Sequence, residues 1–175
     1  GAALCAYHRF QDQPRTLNSK MDAMQGSYLG PGYGQNEIEK RLTEAGAKFE
    51  TLSDDETIEK TADALVAEKA VGWFQGRMEF GPRALGARSI LGDPRSPTMQ
   101  KTLNLRVKYR ESFRPFAPSV LREDVADWFE IDEDSPYMLM VAGVREDKRR
   151  EMPADENALF GIDKLNVPRS ELPAI

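Results

Sequence analysis

The sequence has 175 residues, of which 40% are apolar and 30% are charged, and its net charge is −5. This length suffices for one domain with a well-buried core, or for one domain with appended arms. No apolar run approaches the roughly 20 residues that span a bilayer, and the first residues lack the pattern of a signal peptide, so we expect a cytoplasmic protein.

The N-terminal residues 1–10 have the composition of a short helix, and the polar residues 11–20 are typical of a linker. Cys5 and His8 are the single cysteine and the single histidine, so no internal disulfide is possible. We interpret the two as a buried thiol beside a terminal histidine rather than as a metal-ligand or nucleophile pair. Because the chain starts and stops abruptly, we expect it to be a C-terminal piece of a longer protein.

Residues 26–34 contain four glycines and one proline and therefore predict a loop. We favour a simple turn over a phosphate-binding loop, because no lysine, serine or threonine stands at Walker spacing. Residues 36–45 have the apolar spacing of a helix that Gly46 ends, and residues 48–52 predict a short strand.

Ser53 and Glu56 have the spacing of a capping box, which predicts a helix from this point to about residue 69. Residues 70–74 form a compact apolar run that predicts a buried strand, delivering the next loop at its C-terminal end. Helix followed by strand, twice over, predicts an α/β layered domain.

The segment that follows, residues 76–114, concentrates the positive charge of the chain. It carries nine cations against three acids, a local charge of +6, so the remainder of the chain carries −11. A focused positive patch on an acidic body attracts a small polyanion better than a long nucleic acid. Its glycines recur about every five residues, which predicts a tightly folded chain whose arginines converge.

Within this segment, the guanidinium groups of Arg83 and Arg88 offer permanently charged donors for phosphate oxygens, and Ser89 offers one more donor. We interpret Glu79 as a carboxylate that orients an arginine rather than as a base. Further on, Lys108, Arg110, Ser112 and Arg114 are two residues apart. In a strand they would share one face and track a triphosphate, and the alternative is a solvated basic edge.

Beyond the basic segment, residues 116–121 and 137–144 predict two more strands, with a short helix over residues 122–129 between them. Four acids within residues 130–134 are interpreted as a solvated turn rather than a metal site. Residues 145–175 show no clear period, and we expect them to wrap the surface or to belong to a missing context.

Two stretches, GRMEFGPRALGARSIL at residues 76–91 and LNLRVKYRESFRPFAP at residues 103–118, resemble the C-terminal domain of the NodU/CmcH-type O-carbamoyltransferases, which modify nodulation factors and antibiotics. The resemblance runs from about residue 28 to about residue 144. It implies an α/β fold similar to YrdC/Sua5, a twisted mixed sheet flanked by helices around a positively charged cavity.

The resemblance also implies a domain organisation. Residues 1–25 are then an arm and linker from a preceding Kae1-like domain, residues 26–144 the YrdC-like carbamoyltransferase C-terminal domain, and residues 145–175 a truncated C-terminal extension. The implied activity is formation of carbamoyl-adenylate from carbamoyl phosphate and ATP with Mg²⁺. The Kae1-like domain, which holds a further metal ion, then transfers the carbamoyl group to a small-molecule hydroxyl.

YrdC-like enzymes carry a Lys-x-Arg followed by a proline at the nucleotide cavity, and Lys108, Arg110 and Arg114-Pro115 resemble that pattern. The resemblance therefore implies catalytic roles on the phosphates for Lys108, Arg110 and Arg83, and no metal ligand within this chain. The residues assigned to binding the cofactor or to supporting hydrogen bonds are Arg77, Arg88, Ser89, Asn104, Ser112 and Arg114.

Two halves of the basic segment, residues 76–89 (the cradle) and residues 104–118 (the arm), are expected to converge on one cavity. The expected partners are the small-molecule substrates and the protein's own N-terminal domain, with neither a membrane nor a nucleic acid. Two alternatives remain open, a non-catalytic module that binds nucleotides, RNA or anions, and a structural or interdomain-docking piece.

Overall fold

The computed structural model describes residues 1–16, 22 and 24–175, so the predicted linker over residues 11–20 lies partly outside the described residues. The α-helices are α1 (Ala2–Arg9), α2 (Gln35–Glu44), α3 (Asp54–Val66), α4 (Met99–Thr102), α5 (Val125–Trp128), α6 (Ala154–Asn157) and α7 (Ile162–Leu165). The strands are β1 (Val71–Phe74) and β2 (Arg88–Leu91). Shorter helical turns are the 3₁₀ turns Gln25–Ser27, Arg122–Asp124 and Glu146–Lys148 and the π-helical turn Leu103–Val107.

The helices predicted from local signals are confirmed. The capping box at the start of α3 is present, since the Ser53 hydroxyl accepts from the Glu56 N–H and the Glu56 carboxylate accepts from the Ser53 N–H at 2.9 Å. Helix α3 ends at Val66, about three residues before the predicted end. Helix α2 ends just before Gly46, whose φ of 66° suits the glycine stop signal.

The sheet is smaller than predicted. Strand β1 confirms the strand predicted over residues 70–74, and it pairs antiparallel with β2, which the sequence analysis did not predict. The α/β class is confirmed as a mixed fold with a two-stranded antiparallel sheet. The strands predicted over residues 48–52, 116–121 and 137–144 are wrong. Of these segments, the described residues show one isolated bridge, from Val144 to Phe129, because apolar side chains form a strand only where a neighbour pairs with the backbone.

The core lies where β2 leads into α4. Met99 and Leu103 pack with Ala174 near the C-terminal end, and Phe116 packs against this cluster. The Ala174 N–H donates to the Pro94 oxygen at 3.1 Å. Part of the stretch predicted to wrap the surface, residues 145–175, therefore completes the core.

The chain exposes 13,862 Å² of surface to solvent. A compact monomer of 19.7 kDa exposes about 8,600 Å², so this chain is a small core with appended arms rather than one well-buried domain. In the described part of the chain, no helix has both the length and the apolar composition needed to cross a membrane.

Candidate anion-binding site

The glycine-rich loop over residues 26–34 lies against the start of the cradle. The Gly30 N–H donates to the Met78 oxygen at 2.9 Å, and the Met78 N–H donates to the Pro31 oxygen at 2.9 Å. A Cβ on Gly30 would lie 2.8 Å from the Met78 oxygen, so only glycine permits this approach of two backbones. This geometry favours the turn interpretation of the loop, because the Gly30 N–H is engaged by the protein itself.

Arg77 ties the same two segments together. Its Nε donates to the Gly30 oxygen at 2.9 Å and its Nη2 donates to the Leu29 oxygen at 3.0 Å. These contacts occupy two of the three guanidinium nitrogens. The cofactor-binding role predicted for Arg77 stays a prediction, and the observed contacts are those of a structural side chain.

The carboxylate of Glu79 organises the cradle. Its side chain is 0% exposed, and its Oε1 accepts from the backbone N–H of Leu85 at 2.6 Å and of Ala87 at 2.8 Å. Its Oε2 accepts from the Nε of Arg88 at 3.1 Å. The prediction that Glu79 orients an arginine is therefore confirmed.

This environment keeps Glu79 ionised. Burial by itself raises the pKa of the Glu79 carboxyl, because a buried charge loses its hydration. The hydrogen bonds from the Leu85, Ala87 and Glu79 backbone N–H groups, together with the positive charge of Arg88, more than offset burial and hold the pKa below its ordinary value. The cradle is thus built around a buried carboxylate.

Arg83 and Ser89 are placed differently by the cradle. Arg83 is exposed on the loop between Gly81 and Gly86 and makes no hydrogen bond or ion pair to any described residue. Ser89 lies opposite Trp73 in the sheet, whereas Arg88 lies opposite Phe74. Adjacent residues of a strand point to opposite faces, so Ser89 and Arg88 do not face the same side of the sheet.

The arm is not a strand, so the predicted one-faced row of Lys108, Arg110, Ser112 and Arg114 is wrong. The chain leaves the π-helical turn Leu103–Val107 into irregular structure. Tyr109 has a φ of 48°, which lies in the left-handed region and interrupts an extended backbone.

Asn104 explains why the arm curls. Its side chain is fully buried, and its Nδ2 donates to the Ser112 oxygen at 3.0 Å and to the Arg114 oxygen at 2.8 Å. Its Oδ1 accepts from the Nε of Arg110 at 2.6 Å. Both donor hydrogens of the amide are therefore used within the protein, and the ligand-binding role predicted for Asn104 stays a prediction.

The cations of the arm differ in what they contact. Arg110 is half-buried, and its guanidinium carbon lies 5.0 Å from the centre of the Phe116 ring. Its Nε is engaged by Asn104, while its two outer nitrogens have no hydrogen-bond partner among the described residues. Lys108 is exposed, and its Nζ likewise has no partner in the described part of the chain. Arg114 donates to Glu111 at 3.2 Å, an exposed pair.

The core joins the cradle to the arm. A Cβ on Gly92, just after β2, would lie 2.7 Å from Met99 Cγ and 3.1 Å from Leu103 Cδ1, so this position requires a glycine for close packing. Within residues 1–16, 22 and 24–175, no hydrogen bond or ion pair links residues 76–89 to residues 104–118. Convergence of the cradle and the arm stays a prediction.

Two surface depressions lie elsewhere. One of about 540 Å³ is lined by Glu130, Arg145, Glu146 and Asp147. Another of about 410 Å³ is lined by residues of the first fifteen, including Cys5 and His8. Neither is lined by a residue of the predicted site. Cys5 is exposed, so the prediction of a buried thiol is wrong.

Sequence reasoning missed the way in which distant segments hold the site. The Tyr28 hydroxyl donates to the Leu85 oxygen at 2.7 Å and so pins the cradle from outside. Strand β2 was not predicted, because it is only four residues long, begins with an arginine and follows a glycine-rich turn. The apolar pair Ile90 and Leu91 was the one signal for a strand at this position.

Comparison with known proteins gives a consistent result. Residues 62–157 match the family described as "Carbamoyltransferase C-terminus". "Uncharacterized protein sll1178" of Synechocystis sp. is 56% identical over 177 residues, which are 100% of this chain and 29% of that protein. "Nodulation protein NolNO" of Sinorhizobium fredii is 42% identical over 85% of this chain and 22% of its own length.

A third relative carries an activity in its name. The "3'-hydroxymethylcephem-O-carbamoyltransferase" of Streptomyces clavuligerus is 45% identical over 49% of this chain and 16% of its own length. The chain thus spans less than a third of each of these curated relatives. Because the family match covers more than half of its residues, the chain belongs to the carbamoyltransferase C-terminus family.

Proposed function

We propose that this chain forms carbamoyl-adenylate from carbamoyl phosphate and ATP, as the C-terminal part of an O-carbamoyltransferase that acts on a small-molecule hydroxyl. The observation that carries the proposal is the family match, which includes both halves of the basic segment. The name of the cephem carbamoyltransferase, in which the acceptor is a hydroxymethyl group, supports the class of acceptor.

The charges of the site fit this chemistry. In this reaction water converts carbamoyl phosphate to carbamate and inorganic phosphate, and a carbamate oxygen then attacks the α-phosphate of ATP and displaces pyrophosphate. The second step spreads negative charge over the α-phosphate and the departing pyrophosphate, so fixed positive charge stabilises its transition state. Arg83, Lys101, Arg106 and Lys108, together with the two outer nitrogens of Arg110, have no partner among the described residues. Of these cations, Arg83, Lys108 and Arg110 are the ones to which the family resemblance assigns the phosphates. We assign phosphate contacts to these three side chains.

The remaining residues of the predicted site have supporting roles in this proposal. Arg77 holds the glycine-rich loop, and Asn104 holds Arg110. Ser89, Ser112 and Arg114 stay assigned to hydrogen bonds around the ligand. We further propose that residues 26–144 contribute to a YrdC-like twisted sheet around a charged cavity when they are part of a polypeptide as long as the relatives, and that the cradle and the arm converge on this cavity.

We propose that the metal ions of the reaction are bound either to the substrate ATP or by a preceding domain. Among the described residues, no group of three or more histidine, cysteine, aspartate or glutamate side chains is placed to hold a metal ion. We propose that Mg²⁺ arrives with ATP, whose phosphates and bound water supply most of its ligands. The further metal ion and the carbamoyl transfer belong to a preceding Kae1-like domain, for which residues 1–25 form the arm and linker.

The test is ATP binding, measured by calorimetry on the intact protein. Lys108→Ala and Arg110→Ala each lower the affinity about tenfold or more, since a lost charge-assisted contact costs about 1.4 kcal/mol or more. Arg106→Ala is the matched control, because it removes an exposed cation of the same segment that has no assigned contact. ATP affinities that match wild type in both Lys108→Ala and Arg110→Ala contradict the assignment, and tight RNA binding at low salt favours a binding module without chemistry.

A further inference from the structure

We propose that Glu79 is the positioning residue of the cradle and that Arg88 is its counter-ion, so that Arg83 is the cation which the cradle presents to a phosphate. The proposal rests on the proposed function for the chemistry of the ligand, a phosphate-bearing anion. In this proposal Arg88 does not bind the ligand. It forms an ion pair with Glu79, which we call the latch, and this pair holds the loop that carries Arg83.

Glu79 and its partner Arg88 hold the two ends of the loop that carries Arg83. At the far end, Glu79 Oε1 accepts from the N–H groups of Leu85 and Ala87. At the near end, Arg88 donates through Nη2 to the Gly81 oxygen at 2.8 Å while its Nε donates to Glu79 Oε2 at 3.1 Å. Glu79 and Arg88 together therefore close residues 81–87 into a loop.

Burial makes this pair a fixed feature rather than a surface contact. The Glu79 side chain is 0% exposed and that of Arg88 is 31% exposed. A fully buried carboxylate is costly unless charged and hydrogen-bonded partners surround it. Arg88 therefore neutralises Glu79, and two of its three nitrogens are already used.

Arg83 is in the opposite situation. It lies within the loop that the latch closes, its side chain is exposed, and no described residue pairs with it. Gly81 and Gly86, with φ angles of 146° and 119°, let the backbone turn sharply on either side of it. A rigid loop that exposes an unpaired guanidinium loses little conformational entropy when it binds a phosphate.

Amide substitutions separate the latch from the ligand. Glu79→Gln keeps the shape and one oxygen, but it sets an NH₂ against the donors of Arg88. In E79Q/R88Q, the amide introduced at position 88 presents an oxygen in place of the Arg88 Nε, and this oxygen accepts from the new NH₂. Arg88→Gln alone retains a donor to Glu79, and Arg83→Gln removes the presented charge without touching the latch.

Two readouts on the intact protein decide the proposal, hydrogen exchange of the Leu85 and Ala87 amides and the affinity for inorganic pyrophosphate. E79Q speeds the exchange of these amides about tenfold and weakens pyrophosphate binding, whereas E79Q/R88Q restores the exchange and returns the affinity to that of R88Q. R83Q leaves the exchange unchanged and weakens pyrophosphate binding about tenfold or more. R88Q keeps a donor to Glu79 but loses the donor to the Gly81 oxygen, so it weakens pyrophosphate binding about threefold, which is less than the effect of R83Q.

Each contrary result has a distinct meaning. Affinity lost in R88Q to the same extent as in R83Q makes Arg88 a ligand and overturns the proposal. Failure of E79Q/R88Q to recover the exchange pattern of E79Q shows that the two side chains are not coupled and also overturns it. If the wild-type protein does not bind pyrophosphate, the proposed function and the role of Arg83 are both contradicted. The exchange data still decide whether Glu79 and Arg88 form the latch.

Discussion

At the scale of single residues, two buried polar side chains shape the candidate site. Glu79 gathers the cradle, and Asn104 gathers the arm through the Ser112 and Arg114 oxygens. Each also holds one arginine, Arg88 or Arg110. A buried polar group must satisfy its hydrogen bonds inside the protein. The backbone groups around these two side chains therefore lie where they can bond to them.

Stability is expected to fall in acid through Glu79. Its pKa in the folded protein is lower than in the unfolded chain, so its contribution is complete above the unfolded-state pKa of about 4.3 and is lost as the pH falls through the folded value. Urea unfolding between pH 7 and pH 3 measures this loss. Glu79→Gln flattens the dependence, because it removes the titrating carboxyl group. Equal pH dependence in wild type and Glu79→Gln contradicts the expectation.

At the scale of elements, helices and strands differ in how far neighbours in sequence decide them. Helix α3 begins at Asp54, directly after its N-cap Ser53, because Glu56 completes the capping box with Ser53. Residues 137–144 have an apolar pattern, yet Leu139 is 84% exposed and Val141 fully exposed, since no described strand pairs with this segment. An alternating apolar pattern indicates that a segment can form a strand, but it does not show that a neighbouring strand is present to pair with it.

The π-helical turn Leu103–Val107 offers a matched test of the core. Leu103 is 4% exposed and Leu105 is 45% exposed. Leu103→Ala lowers the free energy of unfolding by about 2 to 4 kcal/mol, because it opens a cavity against Met99 and Ala174. Leu105→Ala costs less than about 1 kcal/mol. Chemical denaturation of both variants measures the difference. Equal losses in the free energy of unfolding contradict the assignment of Leu103 to the core.

At the scale of the whole molecule, the excess of exposed surface includes one face of the sheet. Phe74 and Ile90 lie on the face that also carries Arg88, and they are 63% and 39% exposed. Two-stranded sheets are marginal in water unless further strands or another layer cover them. We therefore propose that this face is covered in a polypeptide as long as the relatives, of which the chain spans less than a third.

Phe74→Ser tests this cover. In the 175-residue chain it changes the free energy of unfolding by less than about 0.5 kcal/mol, as for exposed sites. In a polypeptide that carries the additional length of the relatives, it costs about 2 kcal/mol or more, because a buried aromatic side chain is lost. Phe160→Ser, at a side chain 93% exposed, is the control. Equal, small effects of Phe74→Ser in both polypeptides refute the cover.

Local order could be predicted from the residues alone. Helices α1 to α3, strand β1, the concentration of cations over residues 76–114 and the link between Glu79 and an arginine follow from spacing, caps and charge, which act between neighbours in the chain. The two quoted stretches also predicted the family. Short-range interactions of this kind leave a pattern in the sequence.

The tertiary structure decided which charges are free. Arg77 is tied to carbonyls 47 and 48 residues away. The Tyr137 hydroxyl, which accepts from the Gly26 N–H, joins positions 111 residues apart. Such contacts depend on how segments that are distant in sequence approach each other, and the spacing of residue types along the sequence does not predict them. A row of alternating cations therefore predicted a strand, whereas the buried amide of Asn104 curled the same residues into a turn.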